Sequence, residues 1–110
     1  MAERFRVVWA PAALADFDEI LSWAEGERAG RAQKVRRKIQ AAASRLDRFP
    51  TRGRVVPELR ELGILFLREL VVKPWRLVYR IDGREVRVVT LFDGRRDPAE
   101  MLMRRLLRAE

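Results

Sequence analysis

RELVVKPWRLVYRIDGREVRVVTLFDGRRD, residues Arg68 to Asp97, is the stretch whose reading decides the fold. Asp82-Gly83 lies between two β-rich runs, Arg76 to Ile81 and Glu85 to Phe92. That pair predicts a two-residue hairpin turn, because both central positions of such a turn need positive φ. Leu77, Tyr79 and Ile81 alternate with Arg76, Val78 and Arg80, while Val86, Val88 and Thr90 alternate with Arg87, Val89 and Leu91. The pattern predicts one mostly apolar face and one face carrying arginine. Leu65 to Val72 reads as a preceding strand that stops at Lys73-Pro74, since proline has no N–H for the ladder. The expectation is a three-stranded antiparallel meander, followed by the turn Gly94-Arg95-Arg96-Asp97-Pro98.

Outward from the meander, Phe5, Val7 and Trp9 alternate on a first strand. Pro11 suits the first turn of a helix predicted from Ala12 to Glu25, with Leu14, Phe17, Leu21 and Ala24 on its buried stripe and Ala13 and Ile20 beside them. Asp16, Asp18 and Glu19 sit near that helix start and read as solvated acids matched to its dipole, not as catalytic carboxylates. After the break at Gly26 to Gly30, a second helix is expected from Arg31 to Arg48. Ala32, Val35, Ile39, Ala42, Ala43 and Leu46 form its apolar stripe, and Arg31, Lys34, Arg37, Lys38, Arg45 and Arg48 its basic face. Two such helices joined by a short break form an antiparallel hairpin packed on the sheet. The basic face can grip phosphates, take an acidic partner or simply be solvated. It has no interleaved aromatics for base stacking, and direct nucleic-acid binding by the chain alone is not expected.

Pro50, Gly53 and Pro57 mark a loop, with Gly53 as a turn glycine beside a solvated Arg54. Pro57 to Gly63 reads as an irregular turn or short helix. A last helix is expected from Ala99 to Leu107, with Met101, Leu102, Met103 and Leu106 apolar and Arg104, Arg105 and Arg108 in its last turns. This tail either packs on the sheet or acts as a mobile target-binding segment.

Composition narrows the chemistry. The chain has 110 residues, 48% of them hydrophobic, which fits one small domain over residues 1–110. It has no cysteine and no histidine, so disulfides, thiolate chemistry and the commonest general base and metal ligand are excluded. No apolar run is long enough to span a membrane, and MAERFRVVWA lacks a signal-peptide core, so the expected location is the cytoplasm. With 24 Lys/Arg against 16 Asp/Glu the net charge is +8, which favours an anionic partner.

Phe49-Pro50-x-x-Gly53-Arg54, Pro57-Glu58-Leu59, Arg68-Glu69-Leu70, Trp75-Arg76-Leu77-Val78-Tyr79-Arg80 and Gly94-Arg95-Arg96-Asp97 occur in that order. Together they resemble the RelE/ParE superfamily of type II toxin–antitoxin toxins, the ParE branch most closely, over Phe5 to about Leu107. The resemblance implies an α+β fold: an N-terminal strand, a two-helix antiparallel hairpin, a three-stranded antiparallel meander and a short C-terminal helix. It implies no cofactor or metal.

In the ribonuclease branch the resemblance places lysines at about Leu67 and Glu69, arginines at Arg76 and Arg96, and a proton-donating tyrosine at about Leu102. Here the cations survive and the proton-transfer groups do not, and Tyr79, the single tyrosine, belongs to the strand pattern. The ParE branch implies a toxin associated with plasmid stabilisation that inhibits DNA gyrase by binding, without catalytic residues. Arg68, Arg76, Arg95 and Arg96 would then be recognition groups for the target or the antitoxin, and Trp75 either an interface anchor or ordinary packing. Asp93 stands where many members carry histidine, and it can pair with Arg95 and Arg96. The implied partner is an antitoxin with a DNA-binding N-terminus and an acidic wrapping segment, docking as an amphipathic helix or as an added strand. The alternatives are a ribosome-dependent mRNA endonuclease and a non-toxic corepressor of the same fold.

Overall fold

A computed structural model describes residues 4–107, with only the backbone described at Pro98, Leu106 and Leu107. The expected roles of Leu106 and Arg108 in the last helix therefore lie outside the described residues. The order is β1 (Arg6–Trp9), α1 (Pro11–Glu27), α2 (Arg31–Ser44), a 3₁₀ turn (Arg45–Asp47), β2 (Arg54–Val55), α3 (Pro57–Arg60), β3 (Arg68–Val72), β4 (Trp75–Asp82), β5 (Glu85–Asp93) and α4 (Pro98–Leu107). The meander β3-β4-β5 is antiparallel, as its sequence pattern demands. It is the middle of a five-stranded sheet ordered β1-β5-β4-β3-β2. β1 pairs parallel to β5, and β2, a two-residue strand within the expected loop, pairs antiparallel to β3.

Helices α1 and α2 cover one sheet face. Phe17, Leu21, Val35, Ile39 and Leu46 bury against Leu77, Tyr79, Val86, Val88 and Leu91. Trp9 stacks on Phe17 with ring centroids 5.2 Å apart, which seals the β1 end. Each aliphatic side chain fully removed from water here contributes about 1.5–3 kcal/mol. The other face is not the plain arginine face expected. It carries a second cluster in which Val78 and Phe92 of the sheet meet Val56, Leu59, Leu67 and Leu102. α4 therefore packs on the sheet through Leu102, which is 2% exposed.

Several sequence expectations shift in detail. Asp82 pairs with Glu85, so the hairpin loop is Gly83-Arg84, one residue later than Asp82-Gly83. Gly83 has φ 58, the positive φ that the tight hairpin turns need at their first central position. A β-bulge at Val78/Tyr79 leaves Val89 unpaired, opposite neither Val78 nor Tyr79. The extra residue reverses the alternation, so Leu91 joins Val86 and Val88 under the helices and Thr90 leaves them. β3 begins at Arg68 and not Leu65, since Leu65 and Phe66 are solvent-exposed and Leu67 turns its carbonyl to the Val56 N–H. In α1, Ala13 takes the buried position expected of Leu14, which is 49% exposed. α1 runs on to Glu27, and α2 tightens into the 3₁₀ turn after Ser44.

Gly53 is more than a turn residue. It is buried, its N–H donates to the Tyr79 hydroxyl at 3.0 Å, and that hydroxyl donates to the Pro50 carbonyl at 2.7 Å. A Cβ at position 53 would lie 2.5 Å from the Tyr79 oxygen and 2.6 Å from the Glu69 carbonyl. Gly53→Ala is expected to cost about 1–3 kcal/mol through overpacking. At Gly26, inside α1, an added methyl meets nothing within 4 Å. Gly26→Ala should therefore stabilise by about 0.5 kcal/mol. Urea unfolding midpoints of the two variants, moving in opposite directions, are the check.

Candidate functional site

The arginine-bearing turn is built from behind. Lys73-Pro74, a cis peptide, links β3 to β4, and the Pro74 carbonyl accepts the Gly94 N–H at 2.7 Å. Gly94 then lies against Arg76. A Cβ there would fall 2.9 Å from the Arg76 Cγ and 3.0 Å from the Pro74 oxygen. The glycine of Gly94-Arg95-Arg96-Asp97 is thus required by a close approach to the β4 arginine.

Arg76 is 7% exposed, and its fork is fully engaged. Nε donates to Glu69 Oε1 at 2.7 Å, and the two terminal nitrogens donate to the two Glu58 oxygens at 3.1 and 2.8 Å. Its guanidinium carbon stands 5.8 Å from the centroid of the Phe92 ring. Glu69 is 1% exposed, and its second oxygen takes Arg54 Nε at 2.8 Å. Arg54 is therefore an ion-pair partner of a buried carboxylate and not a merely solvated cation. Burial alone would lower the Arg76 pKa, but the hydrogen bonds to Glu58 and Glu69 outweigh it and hold it above its ordinary value. The Glu58 carboxyl lies below its usual 4.5, chiefly through the hydrogen bond from Arg76.

The structure brings Trp75, Arg76, Arg95 and Arg96 to one end of the sheet. Trp75 is 4% exposed and packs in the helix-side core, the ordinary-packing alternative. Arg95 is exposed and gripped by Asp93 through Nε at 3.0 Å and a terminal nitrogen at 2.6 Å. That grip holds the Asp93 carboxyl below its ordinary value and the Arg95 guanidinium above. Arg96 is exposed and makes no side-chain hydrogen bond or ion pair among the described residues. It borders an open cleft of about 380 Å³ with Glu19, Trp23, Phe92, Asp93 and Met101. Arg68 stands apart, donating to the Gly53 and Thr51 carbonyls at 2.7 and 3.4 Å, where it holds the Pro50–Gly53 loop.

Three carboxylates have structural roles that the sequence patterns did not assign to them. Two are Glu58 and Glu69. The third, Asp16, is not a solvated helix-start acid. It accepts the Thr90 hydroxyl at 2.9 Å, the Leu91 N–H at 3.2 Å and Arg105 at 2.9 Å, joining α1, β5 and α4. Its logic is topological: β1 stops at Trp9, opposite Val88, so the β5 edge beyond needs another acceptor. Asp18 and Glu19 are exposed as expected.

Among the described residues, the positions weighed for proton transfer are engaged elsewhere. Tyr79 is held in the Pro50–Gly53 loop, and burial pushes its hydroxyl above the ordinary tyrosine range. Leu67 and Leu102 are in the second core cluster, and Glu69 is held between two arginines. Among the described residues no group of three or more His, Cys, Asp or Glu side chains could hold a metal ion. The arrangement presents cations on a rigid support.

A model of the ParE toxin of type II toxin–antitoxin systems, parDE, matches residues 7–98. Toxin ParE3 of Caulobacter vibrioides is 37% identical over 65 residues, which make up 59% of this chain and 61% of that relative, somewhat under two thirds of its length. Among solved structures, a chain of the chromosomal ParDE system from P. aeruginosa superposes with TM-score 0.70 at 19% identity, covering 82% of this chain and 96% of that one. A chain of the RelBE2 toxin–antitoxin complex from Mycobacterium tuberculosis gives TM-score 0.57 at 21% identity, covering 83% and 92%. The α+β fold is shared with these two chains. The chain belongs to the ParE toxin family of type II toxin–antitoxin systems.

Two outcomes test the support. Arg76→Ala leaves the Glu69 carboxylate buried with a single arginine, so it is expected to cost about 3–5 kcal/mol, while Arg76→Met with Glu69→Met should recover most of that loss. Equilibrium unfolding of both variants decides it. Glu58 has a lower pKa folded than unfolded, so its contribution is present above the unfolded value of 4.5 and fades as pH falls through the folded one. Glu58→Gln should therefore flatten the acid limb of stability below about pH 4.5, measured by urea midpoints from pH 7 downward.

Proposed function

We propose that this chain is the toxin of a type II pair, that it inhibits DNA gyrase by binding, and that a cognate antitoxin neutralises it in the cytoplasm. The observation that carries this reading is the burial of Leu67, Glu69 and Leu102, which are 1%, 1% and 2% exposed. These are the positions where the ribonuclease branch would need groups that handle protons and phosphate, and here they serve the core and the Arg76 network. What faces solvent at this end of the sheet is a pair of arginines, Arg95 and Arg96, suited to recognition.

Arg96 and, behind the hold of Asp93, Arg95 are the proposed contacts with the target or antitoxin. Arg76 and Trp75 set the turn from beneath, and Arg68 keeps the neighbouring loop in place. The antitoxin would bring an acidic wrapping segment and a DNA-binding N-terminus. The bidentate Asp93–Arg95 pair favours one second reading, a non-toxic corepressor, because it reduces the reach of Arg95 toward an outside anion.

A supercoiling assay with purified gyrase tests the proposal. The expected result is inhibition or trapped cleaved DNA, relieved by excess antitoxin. Arg96→Ala should raise the half-inhibitory concentration about tenfold, and Arg95→Ala less. No inhibition at micromolar protein, together with normal growth on induction, would leave the corepressor reading in its place. Cleavage of ribosome-bound mRNA would reinstate the endonuclease.

A further inference from the structure

The net charge of +8 is not spread over the molecule. Residues 28–53 hold nine of the 24 cations and one of the 16 acids, Asp47, for a net 9 − 1 = +8. The remainder holds 15 of each sign and is neutral. The two sets also differ in contacts. On the sheet and α4, eight arginines have a carboxylate oxygen within 3.1 Å. None of the nine cations of residues 28–53 has a carboxylate partner among the described residues.

Geometry gathers these charges. Val35, Ile39 and Ala43 are the buried side of α2. At 100° per residue, Lys34 and Arg37 project from the opposite side and Lys38 from its flank, and all three are exposed. Arg45, Arg48 and Arg52, also exposed, continue the run past the helix end. From Lys34 to Arg45 the stripe extends about 16 Å at 1.5 Å rise per residue.

We propose that the outward face of α2 is a binding surface for the phosphate backbone of duplex DNA, independent of the arginine turn and of the gyrase reading. Three features select that partner. From Arg31 to Arg48 the face has no exposed large apolar residue, so a wrapping protein segment would find no anchor there. Within residues 28–53 Phe49 alone is a large apolar side chain in the open, 62% exposed beyond the helix between Arg48 and Arg52, and the others lie elsewhere, among them Leu62, Leu65 and Phe66. Single strands need aromatic platforms, which α2 lacks. What is left is a rigid row of unpaired cations, which reads charge without reading sequence. Direct nucleic-acid binding, not expected from a basic face that lacks stacking aromatics, is proposed here from the segregation of the charge.

Fluorescence anisotropy of a labelled 20-base-pair DNA duplex of arbitrary sequence, titrated with the full chain at 50 to 200 mM salt, tests this. The dissociation constant expected is about 1–100 µM, with a log–log salt slope of about −3 to −4. Lys34→Gln/Arg37→Gln/Lys38→Gln should weaken binding at least about tenfold and reduce the slope by about 3. Arg6→Gln/Arg80→Gln/Arg104→Gln removes the same charge from paired sites and should change binding less than about twofold. Far-UV circular dichroism confirms that both variants are folded. Four results would overturn the proposal: no binding at 50 mM salt, equal losses in the two triple variants, equal or tighter binding of a single strand of the same length, or binding of poly-glutamate in preference to the duplex.

Discussion

Glu69 is the constraint around which the far side of the sheet is arranged. A carboxylate that is 1% exposed persists only with full hydrogen-bonding compensation. Arg76 supplies one side of it and Arg54 the other, and Glu58 completes the Arg76 fork. Each partner comes from a different element: β3 gives Glu69, β4 gives Arg76, β2 gives Arg54 and α3 gives Glu58. The short elements β2 and α3 have little core of their own, and this network fixes where they lie. Arg76 in turn leaves room for no side chain at position 94, and that sets the path of the turn leading to Arg95 and Arg96. Removal of a single partner is worse than removal of the pair, because the cost comes from a stranded charge.

The meander was legible because its signals are local. Gly83, the break at Lys73-Pro74 and the alternation of Leu77, Tyr79 and Ile81 each act within a few residues. The same local reading missed the reversal at Thr90, since a bulge is set by pairing with β4 and not by composition. It also missed β2, a strand of two residues that exists only because β3 offers an edge. The order of motifs carried the family, and residues such as Gly53 and Gly94 carried part of that order for a reason visible only in space, the close approach of Tyr79 and Arg76.

The site was legible in part. Arg95 and Arg96 face solvent as recognition groups should, while Arg76 and Trp75 turn out to be buried supports. No periodicity distinguishes a buried Arg from an exposed one on a strand, because the groups that close over Arg76, Glu58 of α3 and the turn at Gly94, come from distant segments. The role of Asp16 was equally out of reach. Its partners Leu91 and Arg105 lie 75 and 89 residues away.

That carboxylate ties two side chains, at positions 16 and 105, to one stretch of sheet edge. Asp16 serves the bare β5 edge and Arg105 at once, so neither position 16 nor position 105 is free to drift alone. A descendant that loses the acid has to extend β1, or find another acceptor for the Leu91 N–H, before it can also release the arginine. The C-terminal helix, the last described element, is thus held to the first helix by the same carboxylate that finishes the sheet edge.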